Sequence, residues 1–495
     1  MRIYLLILII FASLTVSAEF DLEWEAYTGG ENAESANALC RLSDGSFVAA
    51  GYTASVEGNN TDIYLVCCDA AGNEIWNHSY GSSGWEYARG ICTALDDDGI
   101  VVCGLTTAGE NEGFDIFILK TDILGNEEWL RTYGGDGFDT AEALCRTNDG
   151  YLLCGYTDSR GLGEDDIYVL RTDVWGDTLW TQTYGSANSD SGNGIIALSD
   201  GSYLITGSTG EFDQPWAGSS GRNREIELLK IDGDGNVLAE NSYWTMNTHQ
   251  NSYDLGNAVC ACNDGGFYVI GSTSQHLGEL MDAALIKVDS ELNHVWKRHL
   301  EFNGFYDYGY DICEDAQTGN VFICGSANQS QAHDYRAFVA VVDSNGIRLD
   351  YELFEGNGSG NALFRDDQGF LTIAGYGRQD TEENSDLKIF QLSYQQNPAE
   401  ENDLAETCIK IYNHPNPFNP STTISFDLPA DELPSASFSI YNVKGQLVKH
   451  FGNLQDNQLV WDGRNQQNIS VSAGIYLGCL SYEDKIITRK MALIK

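Results

Sequence analysis

Basic side chains are scarce in this chain. Its 27 Lys and Arg face 73 Asp and Glu, a formal charge of −46. Nucleic-acid backbones and anionic lipid are held by basic patches, so neither is expected as a partner. Long apolar runs are scarce too. The stretch Ile3 to Val16 is apolar, but it is shorter than the ~20 residues that a spanning helix needs. No transmembrane span is therefore expected. Before Pro398 the one proline is Pro215, and a helical period of apolar residues is missing throughout. The signatures of common catalysts are missing as well: there is no Gly-x-Ser-x-Gly, no His-Glu-x-x-His and no phosphate loop. The eight histidines are scattered and no Cys-x-x-Cys occurs, so no metal cluster is read here. No catalytic residue and no cofactor are assigned. Calcium is the one ion that so many acids would suit.

What is present begins with Arg2, the apolar run and Ser17-Ala18. That order describes a secretory signal peptide, residues 1–18, cut after Ala18. Thirteen cysteines in an exported chain raise the question of disulfides. Most recur at repeat positions that hold Ile, Phe, Ala or Thr elsewhere, which is the behaviour of core packing. One pairing is expected: a two-residue turn at Asp149-Gly150 would set Cys145 opposite Cys154. Cys92 with Cys103, and Cys313 with Cys324, are weaker versions of it.

The main feature is a unit of ~53 residues, marked by Trp24, Trp76, Trp129, Trp180 and Trp296. Each unit reads as four short strands: a run ending at an Asp-Gly turn, an apolar run ending in Gly-x-Thr, an acid with an alternating run, and an Asp-x-x-Gly turn into the Trp strand. Gly51, Gly104, Gly155, Gly207, Gly271, Gly325 and Gly375 count seven units. In the fifth the region Glu240 to Trp244 stands in for the tryptophan. The last unit supplies three strands, and the missing one occurs at Asp21 to Thr28. The expectation is a seven-bladed β-propeller over 19–393, closed by its N-terminal strand. A polar linker, 394–408, follows.

Acids recur at fixed places. Asp69, Asp122, Asp173, Asp232, Asp289 and Asp343 fill one turn; Asp44, Asp98, Asp149, Asp200, Asp264 and Asp367 fill another. Their short side chains suit turn capping. Asp232-Gly-Asp234 has part of a calcium loop but lacks its distal Glu, which leaves a hairpin turn. Glu34, Glu86, Asp139, Asp190, Asp254 and Asp307 begin first strands, and Asp62, Asp115, Asp166, Glu225, Asp282 and Asp386 begin third strands. Alternating strand direction puts both rings at one end of the propeller. Trp85, Phe138, Tyr253 and Tyr306 precede inner-ring acids. Two readings stand: the acids fix loops once per blade, or they form with these aromatics a cation or sugar site.

From residue 409 the character changes. His414-Pro-Asn416-Pro417-Phe418-Asn419-Pro420 leads to Phe438-Ser-Ile-Tyr-Asn-Val-Lys-Gly445-Gln-Leu-Val448. Trp461-Asp-Gly463, Ala473-Gly474-Ile-Tyr476 and Lys490-Met-Ala-Leu-Ile-Lys495 follow. Alternating strands with turns at Lys444-Gly445 and Asp462-Gly463 read as a small Ig-like sandwich over 409–495. This motif series resembles the C-terminal sorting domain of type IX secretion cargo. The resemblance implies recognition by outer-membrane secretion machinery and a secreted or cell-surface location. The turn Asp69-Ala-Ala-Gly72-Asn73-Glu-Ile-Trp76 resembles the docking motif of quinoprotein propellers and the Asp-box of sialidases, structural in both. Cys67-Cys68 has the look of a quinoprotein pair, but other units carry Lys or Arg at the Cys67 position. The propeller repeat resembles those of secreted bacterial proteins, which implies fold alone. The expected role is a non-catalytic binding or adhesion module for an extracellular glycan or protein. An extracellular glycosidase or lyase and a structural surface-layer component are the alternatives.

Overall fold

The structure, a computed structural model, describes residues 19–495 apart from 57–59, 96–98, 109–112, 212–222, 244–252, 275–280, 303–305, 329–334, 379–383, 396–410, 415–417, 419, 427–435, 443, 445, 453, 455–456, 483–484 and 494–495. The expected signal peptide, 1–18, and positions 396–408 of the expected linker lie outside the described residues. Two compact units divide at 396/397.

The first unit is all-β and propeller-like. Among the described residues four four-stranded antiparallel groups stand alone, and three more are joined by single parallel bridges into a twelve-stranded sheet; sheets two to six span 86–133, 139–184, 191–243, 253–300 and 306–353. Sheet one is Glu34–Arg41, Phe47–Thr53, Asp62–Cys68 and Glu74–Tyr80. Sheet seven is Gly358–Arg365, Leu371–Gly377, Asp386–Gln395 and, from the other end of the chain, Glu19–Thr28. Glu19 pairs with Gln395 and Thr28 with Leu387. First strands of successive sheets pack side by side, and the first strand of sheet seven packs against that of sheet one. Each interface between neighbouring sheets holds its own apolar core. Val101, Ile118, Leu153 and Leu170 fill the one between sheets two and three; Ala36, Tyr64, Ala374 and Ile389 fill the one between sheets one and seven.

The turn acids behave as their chemistry requires. Asp69 Oδ1 accepts the backbone N–H groups of Ala71 and Asn73, both at 2.9 Å. The same cap recurs at Asp122, Asp173, Asp232, Asp289 and Asp343. The glycine of this turn sits at positive φ, 82° at Gly72 and at Gly125. The tryptophan of the preceding sheet lies over it: a methyl on Gly72 would come within 2.4 Å of the Trp24 ring. Positive φ and a bare Cα are both needed there, and glycine supplies both. In sheet four the residue at the tryptophan position is Ala239, opposite Lys230, rather than one of the region 240–244. In the hairpin of sheet seven the capping acid is Asp366, which accepts from Gln368 and Phe370, rather than Asp367.

The expected cross-strand disulfide is not formed. Cys145 pairs with Leu152, and Cys154 with Ala143. Thr147 N–H donates to Gly150 O, so the two-residue turn is Asn148-Asp149 and the ladder is displaced from the expected register. Cys92 and Cys103, and Cys313 and Cys324, are displaced in the same way. The described cysteines are free, and burial pushes the Cys68 and Cys92 thiols up to about 12.

The second unit has a three-stranded and a four-stranded antiparallel sheet. Ile424, Phe426 and Trp461 of one share a core with Phe438, Ile440, Tyr476, Leu480 and Met491 of the other.

Candidate functional site

The two acid rings meet at the sheet junctions. A parallel backbone bridge joins Thr61 to Trp85, Phe114 to Phe138, Asp165 to Ser189, Arg224 to Tyr253 and Met281 to Tyr306. In every case these are the residues just before an outer-ring and an inner-ring acid. The bridges therefore set Asp62 beside Glu86, Asp115 beside Asp139, Asp166 beside Asp190, Glu225 beside Asp254 and Asp282 beside Asp307. Asp386 and Glu34 form a sixth couple, held by Glu34 N–H on Ser385 O at 2.8 Å. A glycine separates several couples: a methyl at Gly29 would lie 2.3 Å from Asp386 Oδ1 and 2.5 Å from Glu34 Oε2. At the seventh junction Arg336 and Gly358 occupy the two places.

All six inner acids are buried. Most accept from their own loop and from the end of the second strand. Glu34 takes Gly30 N–H at 3.0 Å and Thr53 Oγ1–H at 2.7 Å. Asp139 takes Gly135 N–H and Ser159 Oγ–H, both at 2.7 Å. Asp190 takes Ser186 N–H at 2.6 Å and Thr209 Oγ1–H at 2.5 Å. Thr106 serves Glu86 at 3.1 Å, and Thr273 serves Asp254. Asp307 breaks the pattern. Ala327 faces it where the five other sheets that carry an inner acid have threonine, and its Oδ1, like that of Asp139, is buried without a partner. Burial, opposed by Phe302 N–H and reinforced by Asp282 and Glu301, raises Asp307 to about 7. Burial and then Glu301 raise Asp282 to about 6, against the pull of His299. Burial also raises Glu86, Asp62 and Asp115.

Between these acids and the sheet centre lies a set of aromatics that sequence reasoning only half found. Trp85 is 47% exposed, and its ring is 6.5 Å from Tyr87. Tyr87 meets Tyr52 edge-on at 5.1 Å. Phe138 lies between Phe114, at 4.9 Å, and Tyr156, stacked at 5.7 Å. Tyr308 stacks on Tyr310 at 6.1 Å and approaches Tyr335 at 6.2 Å. Burial, and after it the neighbouring Tyr52 and Tyr335, raise the Tyr376 hydroxyl above its ordinary range. These tyrosines are half-buried. Arg89 and Glu142 add an ion pair at 3.6 Å, from bulge positions of sheets two and three. Tyr253 sits under the Arg224 guanidinium at 5.4 Å, and Tyr306 is half-buried at the last bridge. The missed signal was the tyrosine of Gly-Tyr-Thr at 52 and 156, with its counterpart Tyr376, read in the sequence as a strand end alone.

No group of three or more His, Cys, Asp or Glu side chains placed to hold a metal ion occurs among the described residues. No described helix is long and apolar enough to cross a membrane.

In the second unit Phe418 is buried against Trp461 at 5.3 Å, and Pro420 is exposed. Gly474 opens the strand to Tyr482 at φ 153°; Tyr476 Oη–H donates to Ser472 O at 2.6 Å. Lys490 pairs with Leu477 in the last strand. Asn416, Pro417, Asn419 and Gly445 lie outside the described residues.

The chain is 27% identical over 175 residues to the regulatory protein FlaEY of Caulobacter vibrioides, a match covering 30% of this chain and 18% of that one. It thus spans less than a fifth of that relative. Among solved structures it resembles PorZ, an essential surface component of the type-IX secretion system of Porphyromonas gingivalis. The identity is 16% and the TM-score 0.39, over 95% of this chain and 60% of that one. It also resembles the β-propeller domain of the trilobed protease of Pyrococcus furiosus, at 9% identity and TM-score 0.38, over 75% and 96%. Residues 410–495 match the family model of the secretion system C-terminal sorting domain. The chain therefore carries a type IX sorting tail and is a secreted or cell-surface cargo of that route.

Proposed function

We propose that residues 19–393 form a closed seven-bladed β-propeller that binds an extracellular glycan, without catalysis, at its tyrosine-lined mouth. In this reading the Ig-like sandwich of 409–495 is the part that the outer-membrane machinery handles. The observation that carries it is the two aromatic groups, Trp85–Tyr87–Tyr52 and Tyr335–Tyr308–Tyr310. Half-buried rings offer flat faces for sugar C–H groups, and their hydroxyls and the Arg89–Glu142 pair offer polar contacts. The buried acids support this platform by holding the loops at the ends of the strands that carry the rings. A glycan array probed with the mature chain tests the reading. Binding that falls at least ~10-fold in Tyr52→Ala and Tyr87→Ala, about 1.4 kcal/mol, is the expected result. Binding untouched by both variants would leave the mouth without a role.

A second reading has one observation behind it. Asp282 and Asp307 are raised toward neutrality, which is the state a general acid of a glycosidase needs. New reducing ends from a polysaccharide, lost in Asp307→Asn, would favour the enzyme. A surface-layer role would show instead as self-association.

A further inference from the structure

The first strand of every sheet carries a β-bulge at the same place, three residues after its inner-ring position. A bulge turns one extra side chain out of the ladder. In four sheets that residue is asparagine, and each asparagine reaches the next sheet around. Asn37 Nδ2–H donates to Ala88 O at 2.8 Å, Asn193 to Gly256 O at 2.9 Å, Asn257 to Gly309 O at 2.7 Å and Asn361 to Ala36 O at 2.8 Å. The acceptor is always the residue before the next bulge. The asparagine is a latch between sheets.

Three sheets give the latch up, with Arg89, Glu142 and Tyr310 at the bulge. Tyr310 stacks on Tyr308, and the next residue, Asp311, makes the bond to sheet seven by accepting Leu363 N–H at 2.8 Å. Arg89 and Glu142 stand at consecutive bulges and pair at 3.6 Å. Of the seven bulge residues Arg89 alone is exposed. Its side chain, 40% exposed, donates no hydrogen bond among the described residues. Glu142 takes Thr140 Oγ1–H at 2.9 Å on Oε1. Burial, then Glu142, push the Tyr156 hydroxyl up to about 12 against the pull of Arg89. Burial and Tyr87 raise the Tyr52 hydroxyl, again against Arg89. The pair's charges thus reach tyrosines of sheets one and three, and Tyr87 lies two residues before Arg89.

A guanidinium only donates hydrogen bonds and a carboxylate only accepts them. Side by side they match two adjacent sugar hydroxyls, each of which does both. A uronate or a sulfate would meet Glu142 and a chain of charge −46.

We propose that Arg89 and Glu142 determine the specificity of the mouth and select an uncharged sugar unit with two adjacent hydroxyls. This rests on the glycan reading above and names its ligand class. The test is an array of neutral, carboxylated and sulfated glycans, probed with the mature full-length chain. Arg89→Asn restores the asparagine of the other sheets. Its binding to neutral glycans should fall at least ~10-fold while its melting temperature holds or rises. A residue that merely joined sheets would lose stability and keep its binding. Glu142→Gln, close in shape, should weaken neutral binding and strengthen carboxylated binding at least ~10-fold, because the uncovered guanidinium takes a carboxylate through its fork. Native-strength binding in Arg89→Asn, together with loss in Tyr52→Ala, overturns the role of the pair and leaves the glycan reading standing. A native preference for charged glycans does the same. A native chain that holds no glycan overturns both. Should Arg89→Asn fail to fold, Glu142→Gln decides, and unchanged selectivity there sinks the proposal.

Discussion

Leu292 occupies the space that the missing tryptophan at Ala239 leaves open. Elsewhere a tryptophan lies over a turn glycine; at the junction of sheets four and five the tryptophan is an alanine and the glycine is a leucine. Leu292 adopts φ 62° and is 1% exposed, within the same core as Ala239. Two departures from the repeat, over fifty positions apart in the chain, compensate one another. Leu292→Gly should relieve backbone strain but open a cavity, for a net loss of about 2 kcal/mol in denaturant unfolding. Adding Ala239→Trp should recover most of it. A double variant no better than the single would mean that the two sites are uncoupled.

A hydroxyl latch spans the same junctions. Tyr184 Oη–H donates to Gly235 O at 2.6 Å, and Tyr243 Oη–H to Leu292 O at 2.5 Å. Tyr80 and Tyr133 make the equivalent bonds to Gly125 and Gly176. Tyr184→Phe should cost about 1 kcal/mol and leave the fold intact by circular dichroism.

Asp311 is an acid where the other sheets have alanine or glycine at the bulge. It accepts Ile312 N–H and Leu363 N–H, each at 2.8 Å. Burial raises it from 3.8 to about 6 in spite of these bonds. The folded pKa lies above the unfolded one, so folding favours the protonated form. Its contribution is complete below pH 3.8 and is lost as pH rises through 6. Asp311→Asn should flatten that segment of the stability profile, whatever it does to the absolute value. A slope between pH 4 and 6 that is identical in the variant would assign the effect to other groups.

Removing residues 410–495 should leave the remaining protein inside the outer membrane, since the sorting tail is what the type IX route reads. Fractionation of cells carrying the truncated and intact chains is the measurement. Equal surface exposure of both would argue for a second export signal.

The sheets were legible because each strand announces itself locally. Glycine at φ 82° after an Asp cap leaves little choice of conformation, and that pattern recurs at Asp69, Asp122 and Asp173. Registers were less legible. Whether Asn148-Asp149 or Asp149-Gly150 makes the turn depends on pairing across the hairpin, and moving the turn by one position shifts that pairing by two, which sets Cys145 opposite Leu152 instead of Cys154. The recurrence of acids at fixed strand positions was visible, but their pairing was not. Asp62 and Glu86 become neighbours only through the Thr61–Trp85 bridge between sheets, a contact that no local pattern encodes. Tyr52 and Tyr376 were hidden for a similar reason. Their direction is set by the strand pleat, while their companions, Tyr87 and Tyr335, come from other sheets.

The strand Asp386–Gln395 is hydrogen-bonded on both sides, to Leu371–Gly377 and to Glu19–Thr28. It is also the strand from which the chain leaves toward the sorting tail. A cell held by that tail and a ligand held at the mouth would pull against one another, and the tension would enter at Gln395. Ladder bonds lie across the strand, so a force along it meets two ladders at once in shear instead of opening them singly. A protein fastened to a moving surface would be strongest at the point where it is tethered.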